Sequence, residues 1–127
     1  MKSARGAALA LLLASSAAAA PPPREDYLLH CSACHGADGA GVPDVVPPLS
    51  DLALFLATRA GRDYLVRVPG VAQAPLDDAR LAALLDWVLR ELSGVAPDPG
   101  FAAAEVHALR AEPLRDAREA RARVLAH

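Results

Sequence analysis

The strongest hydrophobic pattern in the chain lies between residues 76 and 94. Five aliphatic residues recur there with helical spacing: Leu81, Leu84, Leu85, Val88 and Leu92. Such spacing places them on one face of an α-helix. Asp77 is a suitable N-cap, and Gly94 a suitable end point. The pattern predicts one amphipathic helix that packs its apolar face against a core.

Weaker helical patterns flank this segment, at residues 25–33, 51–58, 61–68, 102–110 and 114–126. Ser50 or Asp51 is the expected N-cap of the second, and Pro113 is expected to open the last. Pro69 and Gly70 are expected to end the third. Because no segment alternates convincingly between apolar and polar residues, the prediction is an all-α fold.

Residues 36–51 interrupt the helical pattern. They contain six glycines and prolines, which break regular structure: Gly36, Gly39, Gly41, Pro43, Pro47 and Pro48. A long segment of this kind in a small domain predicts a loop that wraps around something.

The first twenty residues differ in composition from the rest. Lys2 and Arg5 precede a short apolar run, and small residues follow with A-x-A spacing. This is the layout of a secretory signal peptide, and we expect cleavage after Ala19. An uncleaved membrane anchor is the alternative. The expected mature protein is exported, most readily to a bacterial periplasm, and has no membrane span.

The mature chain of 108 residues would contain 11 basic and 15 acidic residues, a net charge of −4. Such a chain has no electrostatic reason to bind nucleic acid. Charge is unevenly placed, with a balance of −5 over residues 24–98 and +1 over residues 105–123, so we expect an acidic core, 20–94, and a C-terminal extension, 95–127. Gly94, Pro97, Pro99 and Gly100 punctuate the join.

The two cysteines of the chain occur in the sequence CSACHG, residues 31–36. A redox dithiol is one use of C-x-x-C, but no strand–helix unit accompanies it here. A zinc site is a second use, but it needs four ligands and the chain has no second cysteine pair. The third use is covalent attachment of one haem c, with thioethers on Cys31 and Cys34 and with His35 as iron ligand. The spacing favours the third use.

CSACHG, followed by ADGAG, PPL and an acid-capped helix, resembles the small single-haem class I cytochrome c family over residues 26–92. The resemblance implies three main helices around one haem, plus here a helical extension. It implies that Tyr27 packs on Trp87 between the first and last helices. It also implies that the carbonyl of Pro48 (or Pro47) orients His35. Early in the first helix, Pro22–Pro23 replace the small residue of the family.

The methionine that the family uses as second iron ligand is missing. Val68 or Val71 occupies its place in RVPGVAQAPL, and the only methionine is Met1, within the expected signal peptide. We therefore expect a five-coordinate or water-ligated haem, with Val68 and Val71 in an apolar distal wall. His107 and Tyr64 are the remaining candidate ligands.

Other side chains are weaker candidates for contact with the haem. Gln73 and the terminal His127 are minor distal candidates, and His30 lies beside Cys31 on the proximal side. Three arginines are candidate partners of the haem propionates: Arg59, Arg62 and Arg67.

The primary functional hypothesis is an electron carrier between a dehydrogenase or membrane complex and an acceptor. Its acidic surface would suit brief contact with a basic partner. A ligand-binding haem protein, using the open distal face, is the alternative. An accessory subunit of an oxidoreductase is a third hypothesis. An independent enzyme is the least favoured, because no polar distal acid–base pair is present.

Overall fold

The computed structural model describes residues 19–126, and the expected signal peptide lies almost entirely outside that range. The described chain folds into eight helices: α1 (Pro23–His30), α2 (Ser32–His35), α3 (Ala53–Leu56), α4 (Arg59–Arg67), α5 (Pro69–Ala72), α6 (Asp78–Glu91), α7 (Ala103–Arg110) and α8 (Ala117–Leu125). It contains no β-strand, only one isolated bridge between Val42 and Val46. The all-α prediction is confirmed.

Helix α6 forms where the hydrophobic pattern predicted it. The Asp77 side chain accepts a hydrogen bond from the backbone N–H of Arg80 at 2.8 Å, which caps the first turn. Leu81 and Leu84 are buried on the inner face, together with Leu85 and Val88. Local pattern and tertiary packing therefore agree along this helix.

Two predicted helix starts are wrong. Helix α3 begins after Leu52, whose backbone N–H donates to Ser93 Oγ, and neither Ser50 nor Asp51 caps it. Helix α4 does end before Pro69 and Gly70, as expected, and Pro69 then opens α5 at a position where its missing N–H costs nothing. Helix α8 begins at Ala117 under an Asp116 cap, not at Leu114.

Helices α1 and α6 pack against each other through two kinds of contact. The rings of Tyr27 and Trp87 lie 5.4 Å apart between centroids, as expected. Asp26, 1% exposed, accepts two hydrogen bonds from the Arg80 guanidinium, across 54 positions of sequence. This ion pair cannot be seen in the sequence pattern, and it fixes how the two helices cross.

The C-terminal region shares the core of the rest of the chain. Phe101 and Val106 are buried in the same cluster as Leu89. Arg62 on α4 connects to this region, because its guanidinium pairs with Glu105 and lies 4.0 Å over the Phe101 ring. Residues 95–126 are therefore packed onto the helices that precede them.

No helix within residues 19–126 is long and apolar enough to cross a bilayer.

Candidate functional site

Two adjoining cavities open between the cysteine segment and the helices that follow the loop. The inner cavity, of about 230 Å³, is bounded by Cys31 and His35, by the α4–α5 segment and by α6. The outer cavity, of about 560 Å³, lies beside the loop and α8. Seven residues line both: Val45, Val46, Pro47, Pro48, Tyr64, Val68 and Arg121. Together the cavities offer space of the size that holds cofactors, about 300–1,000 Å³.

The cysteine segment places two of its three reactive side chains at the inner cavity. Cys31 lies at the junction of α1 and α2, and His35 ends α2 four positions later. Residues four apart in a helical segment share a face, and both of these line the inner cavity. Cys34 is exposed and is not among the residues that line either cavity.

The ring of His35 is held by the loop. Its Nδ1 lies 3.2 Å from the carbonyl oxygen of Pro47, a distance that fits an Nδ1–H donor. This bond leaves Nε2 with a lone pair. Burial lowers the pKa of His35, against the opposing effect of the Pro47 hydrogen bond, so the imidazole is neutral at pH 7. The carbonyl comes from Pro47, the alternative to the favoured Pro48, and both prolines line the two cavities.

The loop itself is closed by backbone hydrogen bonds near His35. The N–H of Gly41 donates to the His35 carbonyl at 2.8 Å, and the hydroxyl of buried Tyr27 donates to the Gly36 carbonyl at 2.6 Å. Gly41 has φ +70°, and a Cβ there would lie 2.3 Å from the Val46 carbonyl oxygen. Only glycine permits this close return of the loop.

Burial raises the pKa of the Cys31 thiol, and the nearby charges of Asp26 and Cys34 raise it further. Thiols that act in dithiol exchange have lowered pKa values, because the thiolate is the nucleophile. The environment of Cys31 therefore does not favour a dithiol oxidoreductase.

The α4–α5 wall of the inner cavity carries no ordinary iron ligand. Val68 and Val71 line it, beside Leu65 and Ala74. Tyr64 is the exception, because it lines both cavities while its ring stacks on Phe55 at 5.0 Å. Its hydroxyl has no hydrogen-bond partner within residues 19–126. Tyr64 thus remains a candidate ligand.

His107 is placed elsewhere. Its side chain is 77% exposed, and its Nδ1 lies 2.9 Å from Asp78 Oδ2 at the start of α6. This contact, ahead of the contact with Arg110, lowers the pKa of Asp78. His107 is not among the residues that line either cavity, which disfavours it as a distal ligand. His30 and Gln73 are exposed as well, and His127 lies outside the described residues.

The three arginines predicted near the cavity have other partners. Arg59 pairs with Asp63 on the surface, Arg62 pairs with Glu105, and Arg67 donates to the Glu112 carbonyl. The arginine that lines both cavities is Arg121 on α8, which the sequence analysis did not single out. Arg121 could have been recognised from the sequence, because it shares the less polar face of the predicted helix with Ala117 and Ala120.

Residues 19–126 contain no group of three or more histidine, cysteine or acidic side chains that is arranged to hold a bare metal ion. No protein-family model matches the chain, and no curated protein is significantly similar to it. The functional inference therefore rests on the geometry above.

Proposed function

We propose that this protein is a single-haem c-type cytochrome that carries electrons. The observation that supports this most directly is that Cys31 and His35 line the same apolar cavity, with His35 Nδ1 bonded to a backbone carbonyl. A ligating histidine typically donates its other ring N–H in this way, which fixes the tautomer and raises its basicity. The residues therefore fit haem c.

The chain's own groups have distinct roles in holding that cofactor. The thiols of Cys31 and Cys34 would each add across one vinyl group, with sulfur bonding to one carbon and the thiol proton going to the other. This addition needs no net oxidant. His35 would bind through Nε2, which is neutral at pH 7. A single imidazole from the chain would be sufficient, because the porphyrin would supply four nitrogens, whereas a structural zinc needs four protein ligands.

When bound, the haem iron would supply a one-electron ferric–ferrous couple. Leucines of α6 and valines of α4–α5 would keep water from the ring, which limits the solvent rearrangement that accompanies each transfer. Because Cys34 is exposed, the haem edge attached to it would lie near the surface, where a partner could approach. The resemblance to class I cytochromes c and the net negative charge point to a basic redox protein, such as a dehydrogenase or membrane complex, in the periplasm.

The proposal is tested by spectroelectrochemical titration of the mature protein, produced together with a haem-maturation system. We expect a reversible one-electron titration of a single haem and rapid reduction by the physiological donor. His35→Ala should lose the native spectrum while Cys31 and Cys34 still attach the haem. An exposed histidine gives the matched control, because His30→Ala should titrate like wild type. A protein that attaches haem but exchanges no electrons would contradict the carrier function.

A second candidate function is binding of a small ligand at the iron. The valine wall supports it, because it leaves no methionine to occupy the sixth position. Methionine opposite histidine raises the reduction potential, so its loss predicts a lower potential and a reactive ferrous iron.

Carbon monoxide distinguishes the two functions. We expect a high-spin ferric spectrum and carbon monoxide binding to the ferrous form. Val71→Met should raise the potential and weaken carbon monoxide binding, whereas Val95→Met, outside both cavities, should do neither. A low-spin spectrum that persists in His107→Ala and disappears in Tyr64→Phe would identify Tyr64 as a ligand and disfavour ligand sensing.

A further inference from the structure

Arg121 occupies a position where a helix of this kind normally carries an apolar residue. The four less exposed residues of α8 recur at i, i+3, i+4 and i+7: Ala117, Ala120, Arg121 and Val124. This spacing defines the face that packs on the body of the protein. Arg121 thus faces the body of the protein between small and aliphatic neighbours. A half-buried guanidinium there requires an oxygen or anionic partner to offset its loss of hydration.

The other half-buried arginines within residues 19–126 all have an oxygen partner. Arg62, Arg80 and Arg110 pair with the carboxylates of Glu105, Asp26 and Asp78. Arg67 donates to the Glu112 carbonyl. In contrast, Arg121 forms no ion pair within the described chain, and its contact there is the Phe55 ring, 5.1 Å from its guanidinium carbon.

The position of Arg121 relative to the two cavities indicates where its partner lies. Cys31 and His35 line only the inner cavity, whereas Arg118 and Asp44 line only the outer one. Arg121 lines both, so it stands where they join. A haem has its vinyl groups on one side of the ring and its two propionates on the other. A haem tethered by Cys31 therefore extends its carboxylates away from the cysteines, toward the outer cavity.

We propose that Arg121 binds a haem propionate, so that helix α8 of the C-terminal region is part of the cofactor site. This assignment rests on the proposed function. It replaces Arg59, Arg62 and Arg67, whose guanidinium groups are engaged elsewhere. Arg118 adds a second positive charge at the outer cavity, and Asp44 adds a negative one.

The first test is the midpoint potential of the mature holoprotein at fixed pH and low salt. A guanidinium near the haem favours the more negative, ferrous state, so Arg121→Gln should lower the equilibrium constant for reduction by about threefold to tenfold. Arg121→Lys should keep most of the wild-type value. Arg123→Gln is the matched control, because Arg123 lies on the same helix, is exposed and pairs with Glu119.

The second test observes the guanidinium itself. In ¹⁵N-labelled protein, the Arg121 Nε–H signal, identified by its loss in Arg121→Lys, should shift between the ferric and ferrous states. Urea unfolding of each variant checks that the fold is kept. A potential of Arg121→Gln equal to that of Arg123→Gln overturns the assignment. So does an Arg121 signal that responds to added phosphate but not to the iron state.

The outcomes separate this inference from the function on which it rests. If no haem attaches to the wild-type chain, both are wrong. If haem attaches and titrates normally but Arg121→Gln has no effect, only the role of Arg121 is wrong.

Discussion

Replacing Arg62 by glutamine should show that the C-terminal region is part of the folded core. The guanidinium donates to both carboxylate oxygens of Glu105, at 2.6 and 2.8 Å, and to the carbonyls of Pro99 and Gly100, at 2.9 and 3.1 Å. The Arg62 and Glu105 side chains are only 16% and 22% exposed. Glutamine keeps the stem but leaves the Glu105 carboxylate without its cation.

Loss of one partner from a pair this buried is expected to lower the free energy of unfolding by about 2–4 kcal/mol. Arg59→Gln on the same helix is the control, because Arg59 is 76% exposed and its pair should be worth below about 0.5 kcal/mol. Urea unfolding followed by far-UV circular dichroism and by the single tryptophan, Trp87, measures both. Equal stabilities of the two variants would refute the reasoning.

The same pair predicts a pH dependence. The hydrogen bond from Arg62 lowers the pKa of Glu105 below its ordinary value of 4.5. An acid whose pKa is lowered in the folded state contributes stability that is complete above the unfolded pKa and is lost as pH falls through the folded one. The difference between wild type and Arg62→Gln should therefore be full at pH 7 and should diminish as the pH falls below 4.5.

Three further substitutions test individual parts of the site. Tyr27→Phe removes the donor to the Gly36 carbonyl and should cost about 1–2 kcal/mol in urea unfolding; an unchanged stability would contradict the 2.6 Å bond. Tyr64→Phe, the matched control, should cost less than about 0.5 kcal/mol. His107→Ala removes an exposed contact to Asp78 and should leave the haem absorption spectrum unchanged; a change of spin state would place His107 at the iron after all.

The parts that sequence could predict are those governed by local spacing. Helix α6 follows from its aliphatic stripe and its Asp77 cap, and the wrapping loop follows from its glycines and prolines. Cys31 and His35 share a cavity because they lie one helical turn apart. None of these inferences needed knowledge of distant contacts.

The parts that could not be predicted depend on partners far along the chain. The Asp26–Arg80 pair joins residues 54 positions apart, and Leu52 meets Ser93 rather than a local cap. The start of α8 was predictable in principle, because Asp116 and Glu119 have the spacing of a capping box. The role of Arg121 on this helix could not be predicted, because it depends on cavities that are formed by residues distant in sequence.

The central claim, that Cys31 and Cys34 carry a covalent haem, is tested most directly by the alkaline pyridine spectrum of the mature protein. The protein is produced with a haem-maturation system and extracted with acid acetone before the measurement. We predict that the haem stays with the polypeptide and gives the spectrum of two thioether-linked vinyl groups, and that Cys31→Ser with Cys34→Ser abolishes it. A wild-type protein without this spectrum, and with both thiols free to react, would contradict the account.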